Sequence, residues 1–120
     1  MALTAGTIGS AVGDTITLKG NVAGNAINLG SVLDSTANTL ELSGPELNTI
    51  TGALTIGSTA TTVAITVSAP VNPATASGGL TLVNRTGGIA VNAALTSPAA
   101  LTLTADGAGA TTGAISGNGA

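Results

Sequence analysis

A three-residue word, made of an aliphatic residue, a small or polar residue and a second aliphatic residue, recurs along the whole chain. This alternation is typical of a β-strand with one buried and one exposed face, because successive side chains of a strand point to opposite sides. The segments between the words are rich in Gly, Asn, Asp, Ser and Pro, which favour turns. The words stand at residues 16–18, 27–29, 40–42, 54–56, 65–67, 80–82, 89–91 and 101–103, with a degenerate copy at 114–116.

The outer residues of these words are the predicted core. The chain has no Phe, Tyr or Trp, so its core must be built from small aliphatic side chains rather than from the aromatic ones that dominate most cores. The predicted core residues are Ile16, Leu18, Ile27, Leu29, Leu40, Leu42, Leu54, Ile56, Ile65, Val67, Leu80, Leu82, Ile89, Val91, Leu101 and Leu103.

The spacing of the words predicts the architecture. Leu101 follows Leu80 by 21 residues, and repeats of about 20 residues, each too small to bury its own apolar face, are typical of stacked arrays. We therefore expect one all-β unit over 1–120, a fragment of a longer chain. It would be a parallel β-solenoid (β-helix) of about five coils with about 21 residues per coil over 16–119, after an irregular lead-in over 1–15. The alternative is an antiparallel β-sandwich, which short strands at such spacing also describe, but which needs a thicker core.

The segment LTLVNRTGGIAVNAALTSPAALTLTADGAGATTGAISG resembles the repeats of filamentous haemagglutinin-type adhesins, the giant bacterial surface exoproteins of two-partner secretion and autotransporter systems. The resemblance is close over 54–119 and loose over 16–52. It implies a right-handed parallel β-helix in an extracellular stalk or fibre. The residues on the repeat pattern are Leu80, Leu82, Gly88, Ile89, Val91, Leu95, Leu101, Leu103 and Ala105.

The titratable residues do not form a recognisable catalytic motif. The chain has no His and no Cys, which removes the usual general base, the thiol nucleophile and most transition-metal ligands. Glu41 and Glu46 could be a glycosidase pair, but a solvated middle residue and a solvated turn charge describe them better. We expect no enzyme activity, no metal and no cofactor. Asp14, Asp34 and Asp106 are interpreted as turn residues, since Asp side chains bond to their own backbone in turns.

Composition also bears on partners. With two basic residues and a net charge of −3, the chain lacks the Lys and Arg that supply non-specific affinity for nucleic acid. No stretch reaches the roughly 18 apolar residues of a membrane-spanning helix, so no membrane insertion is expected. Asn84-Arg85-Thr86 is a glycosylation sequon on an expected exposed turn. Outward threonines stand in the middle of the words at Thr17, Thr55, Thr66, Thr81 and Thr102. They are interpreted as ordinary polar β-formers that give an uncharged face, and a surface-binding array is the alternative.

The sequence hypothesis is a structural or interaction segment of a secreted or cell-surface bacterial adhesin or fibre, a stiff stacked-coil stalk. Because open strand edges template association, it is expected to self-associate end to end into filaments. Its receptor on a host or cell surface is not identified by the residues. Two alternatives are an ice- or surface-binding protein that uses the threonine face and a polysaccharide-acting β-helix.

Overall fold

The computed structural model describes residues 8–9, 15–105 and 115–117. Its regular structure there is eleven β-strands and one short α-helix. The helix, α1, spans Gly44–Leu47. The strands are β1 (Ile8–Gly9), β2 (Thr15–Leu18), β3 (Ala26–Leu29), β4 (Thr39–Leu42), β5 (Ile50–Thr51), β6 (Ala53–Gly57), β7 (Ile65–Val67), β8 (Leu80–Asn84), β9 (Ile89–Val91), β10 (Leu101–Ala105) and β11 (Ile115–Gly117).

Every strand pairing within the described part of the chain is parallel, and the strands form three separate sheets. A two-stranded sheet contains β1 and β5. A four-stranded sheet has the order β10-β8-β6-β2, and a five-stranded sheet has the order β11-β9-β7-β3-β4. Parallel strands need crossover connections, and here the chain passes from the four-stranded to the five-stranded sheet and back.

The core lies between the sheets and is wholly aliphatic. In the four-stranded sheet, Leu54 stands opposite Leu80, and Ile56 stands opposite Leu82. All four are at most 1 % exposed. The five-stranded sheet contributes Ile27, Leu29 and Leu42 among others to the same buried cluster. Like residues stacked on neighbouring strands fill the interior without aromatic side chains.

Glycine is required where the chain leaves a strand of the four-stranded sheet. Gly57 ends β6 with φ +87°, a conformation that side chains with a Cβ rarely adopt. A Cβ at this position would also overlap the carbonyl oxygen of Val83 on the neighbouring strand. The turn from β6 towards β7 therefore needs a residue with no side chain.

The segment from Gly30 to Thr49 departs from the simple repeat. It first runs out through the exposed residues 32–38, and then returns as β4, which pairs with the side of β3 opposite β7. A capping box then starts α1, in which the Ser43 side chain accepts from the Glu46 backbone N–H and the Glu46 carboxylate accepts from the Ser43 backbone N–H. Leu47 of this helix is fully buried and belongs to the same core cluster as Ile50.

The predicted β-solenoid of about five stacked coils is wrong. The strands are divided among three separate sheets in a body with extents of 38 × 32 × 31 Å, rather than forming one stacked coil. Their order is also not sequential, because β4 lies outside β3. The sheets are separate because successive words lie in different sheets, as β6 and β7 do. The excursion of 30–49 accounts for the position of β4, which the 21-residue spacing of Leu80 and Leu101 does not anticipate. The antiparallel sandwich is wrong as well, since every described pairing is parallel.

Candidate functional site

The four-stranded sheet carries an unbroken row of threonines on its outward face. Thr17 of β2 stands opposite Thr55 of β6, Thr55 opposite Thr81 of β8, and Thr81 opposite Thr102 of β10. Neighbouring parallel strands lie about 4.8 Å apart, so the four side chains repeat at that distance over about 14 Å. We call these four residues the threonine ladder.

The ladder follows directly from the alternation in the words. The residues on either side of each threonine lie on the inward face, and all of them except Leu101 belong to the core or pack against it, so the threonine must point outward. Thr17 and Thr102 are exposed, while Thr55 and Thr81, on the inner strands, are half-buried by their neighbours. The ladder therefore offers hydroxyl and methyl groups and no charge of its own.

The fifth threonine of the predicted array lies elsewhere. Thr66 is on β7 in the five-stranded sheet, between Asn28 of β3 and Ala90 of β9. The outward row of that sheet therefore mixes residue types. The structure brings four of the five predicted threonines together and leaves Thr66 apart.

The predicted core residues fall into three groups by burial. Leu101, on the outermost strand of its sheet, is 42 % exposed. Five are partly buried and pack against the core: Ile16, Leu18, Leu40, Val91 and Leu103. The others are buried: Ile27, Leu29, Leu42, Leu54, Ile56, Ile65, Val67, Leu80, Leu82 and Ile89.

Strand β10 forms an open edge of the four-stranded sheet in the described part of the chain. Among the described residues it pairs only with β8. The backbone N–H of Leu80 donates to the carbonyl oxygen of Ala100 at 2.9 Å, which directs Ala100 and every second residue after it towards β8. The backbone N–H and C=O groups of Leu101, Leu103 and Ala105 therefore face outward along the edge, as unpaired edge groups do.

Glu41 is the outward middle residue of β4, but it is not solvated as expected, because it is only 2 % exposed. The segment 31–38 folds over it. Its carboxylate accepts hydrogen bonds from the Ser31 hydroxyl at 2.9 Å, the Thr36 hydroxyl at 3.0 Å and the Thr36 backbone N–H at 3.2 Å. Burial acts to raise the pKa of the Glu41 carboxyl, but hydrogen bonds from the Thr36 and Ser35 backbone and from the Ser31 and Thr36 side chains outweigh it, so the pKa lies below its ordinary value.

Glu46 belongs to the capping box of α1 and was not recognised as such in the sequence. Its carboxylate accepts from the Ser43 backbone N–H at 2.8 Å and from the Ser43 hydroxyl at 2.9 Å. The signal was present, because Ser followed three residues later by Glu is the sequence pattern of a capping box. Glu41 and Glu46 thus each take part in a local hydrogen-bond set that holds a backbone segment in place.

The sequon residue Asn84 is fully buried. Its side-chain amide donates to the carbonyl oxygen of Val63 at 2.8 Å and accepts from the backbone N–H of Gly88 at 3.2 Å. These two bonds hold the turn between β8 and β9 against the segment that contains Val63. They also supply partners for backbone groups, which need hydrogen bonds when they are buried. The neighbouring Arg85 is exposed.

The remaining predicted polar positions are the three turn aspartates. Asp34 lies in the exposed stretch 32–38, whereas Asp14 and Asp106 lie outside the described residues. Within the described ranges no three His, Cys, Asp or Glu residues come together as a metal site. In the same ranges no helix has the length and apolar character needed to cross a membrane.

Comparisons of the chain with family models, with curated proteins and with solved structures found no match.

Proposed function

We propose that the chain is a structural and interaction module of a bacterial extracellular or cell-surface protein of the adhesin or fibre kind, whose copies associate through the open edge of the four-stranded sheet. The observation that carries this proposal is strand β10, an edge that exposes Leu101 and a row of backbone N–H and C=O groups. Such edges are templates for pairing with another chain. The extracellular setting is supported by the resemblance of the sequence to adhesin repeats.

A second copy of this chain fits the edge because the chain repeats one pattern on every strand of this sheet. Inward aliphatic residues and outward threonines stand in register on β2, β6, β8 and β10. A strand of the same pattern added to β10 would place its aliphatic residues beside Leu101 and Leu103. It would also continue the backbone hydrogen bonds of the sheet.

The proposed role is not catalytic. Glu41 and Glu46, the carboxylate pair considered from the sequence, each accept hydrogen bonds from their own neighbourhood. Those bonds hold the segment 31–38 and the start of α1. Both carboxylates are thereby accounted for by folding.

The substitution Leu101→Lys tests the edge. A charge at an inward position of an edge strand is a device by which proteins prevent edge pairing. Sedimentation velocity over a wide range of concentration should show that the unaltered chain associates and that Leu101→Lys stays monomeric. Leu33→Lys is the matched control, since Leu33 is also an exposed leucine, at 59 %, but lies in the segment over β4. Association that survives Leu101→Lys, or an unaltered chain that is monomeric throughout, would overturn the proposal.

The threonine ladder favours a second candidate function, binding to an ordered solid surface such as ice. Four uncharged side chains in register, repeating at about 4.8 Å, form a regular surface that could match a regular lattice. Hydroxyl groups would supply hydrogen bonds and methyl groups would supply apolar contact.

Freezing experiments test this second function. The chain should separate the freezing and melting temperatures of ice, and Thr55→Lys, at the centre of the ladder, should abolish the separation. Thr66→Lys is the matched control, because it makes the same change at the same kind of position in the other sheet. The candidate fails when the unaltered chain gives no separation, or when both variants lower it equally.

A further inference from the structure

Each of the two larger sheets has two outermost strands, and the two ends that these strands form differ in shape. At one end the four-stranded sheet stops at β10 and the five-stranded sheet stops at β11, and these strands follow each other along the chain as β8 and β9 do. At the other end the four-stranded sheet stops at β2, whereas the five-stranded sheet continues past β3 to β4. Among the described residues the first end is level, and the second is stepped by one strand.

This difference bears on head-to-tail association. A copy that offers β10 to β2 of the next copy also brings its β11 towards β3, but β4 already occupies that side of β3. To continue both sheets, the second copy would have to be displaced by two different distances, which differ by about one strand spacing of 4.8 Å. Only one of the two sheets can then continue from copy to copy, which leaves the other unpaired.

The level end of one copy can pair with the level end of a second copy. We infer that two copies associate through β10 in antiparallel orientation, related by a two-fold axis at Leu103, and so form a closed dimer rather than a filament. This inference rests on the proposed association through the β10 edge. An interface of this kind uses the same surface on both copies, so it closes after two.

The backbone of β10 suits this arrangement. The N–H and C=O groups of Leu101, Leu103 and Ala105 face the open side, because those of Ala100 and of alternate residues face β8. With the axis at Leu103, that residue stands opposite itself, and Leu101 stands opposite Ala105. These are hydrogen-bonded pairs of an antiparallel ladder, in which both residues exchange N–H···O=C bonds.

The side chains of β10 suit it equally. The strand reads Leu-Thr-Leu-Thr-Ala, so its alternation is the same in both directions from Leu103. Aliphatic residues face aliphatic residues on the inward side, where Leu101 is 42 % exposed in one copy. Thr102 faces Thr104 on the outward side, so the outward surface stays uncharged across the junction.

A single cysteine at the axis tests the inference, and the absence of Cys from the chain makes the experiment clean. In a hydrogen-bonded antiparallel pair the Cα atoms lie about 5.5 Å apart, within the range that a disulfide spans. Leu103→Cys should form a cross-linked dimer on mild oxidation. Thr17→Cys on β2 is the control and should stay uncross-linked, and a mixture of Thr17→Cys with Thr102→Cys should not cross-link either.

Measurements on the unaltered chain accompany the cross-linking, because Leu103→Cys shortens a partly buried side chain. The sedimentation mass should rise with concentration and level off at two copies. Amide hydrogen exchange of Leu101, Leu103 and Ala105 should slow over the same concentrations, while that of Thr17 should not change. A mass that continues to grow, with Thr17→Cys linking to Thr102→Cys, would overturn the closed dimer but leave the proposed function standing. A monomer at every concentration would overturn both.

Discussion

The four-stranded and five-stranded sheets share one inward pattern and differ in their outward rows. Both turn Leu, Ile and Val towards the common core. Outward, the four-stranded sheet repeats threonine, whereas the five-stranded sheet reads Glu41, Asn28, Thr66, Ala90 and Ser116 across its strands. The second sheet shows that strands of this kind form without a uniform outward residue.

Substitutions at inward positions should have the largest effect on stability, and the loss should be greater in the middle of the four-stranded sheet than at its edge. Leu82 is fully buried between β6 and β10, so Leu82→Ala should lower the free energy of unfolding by about 2–5 kcal/mol. Leu101→Ala, which removes the same atoms from a residue that is 42 % exposed at the edge, should lower it by about 1 kcal/mol. Chemical denaturation measures both. Equal losses in the two variants would show that Leu101 is buried in solution.

Much of the inward pattern could be predicted from the sequence, because alternation alone decides which face of a strand is apolar. The 21-residue spacing of the words at 80–82 and 101–103 also matches the register of two paired strands, since Leu80 stands opposite Leu101. Alternation does not determine which strands lie next to each other, however. The pairing of β2 with β6 across the segment 30–49, and the position of β4 outside β3, depend on contacts between distant parts of the chain.

The polar residues show the same limit. The sequence predicts Glu41 as an outward, solvated middle residue, but Glu41 is buried, and the cover provided by Ser31 and Thr36 comes from a loop whose path the sequence does not display. The sequence predicts an exposed turn at Asn84, since Arg85 is interpreted as the solvating charge of that turn. The burial of Asn84 depends on the carbonyl group of Val63, 21 residues earlier in the chain.

A pH titration tests the outward row of the five-stranded sheet, because that row contains Glu41, whereas the threonine ladder carries no charge. The pKa of Glu41 in the folded chain lies below its ordinary value of 4.5, so the folded state favours the ionised form. The stability that this contributes is present above pH 4.5 and is lost as the pH falls through the lowered pKa. Denaturation from pH 6 to pH 2 should show the unaltered chain approaching Glu41→Gln in stability at the acid end. A constant difference between the two chains would mean that the hydrogen bonds of Glu41 do not depend on its charge.

The smallest expected effect concerns the ladder itself. Cross-strand side-chain pairs in antiparallel sheets contribute roughly 0.2–1 kcal/mol. We expect the same range for these parallel pairs, so Thr55→Ala and Thr81→Ala should each lower the free energy of unfolding by about that amount. Because the two residues stand opposite each other, the double variant should lose less than the sum of the single ones. Thr66→Ala combined with Thr55→Ala is the control pair, since the two residues lie in different sheets and their losses should add. Additive losses for Thr55 and Thr81 as well would mean that the threonines do not support one another, and their uniformity would then be unexplained by stability.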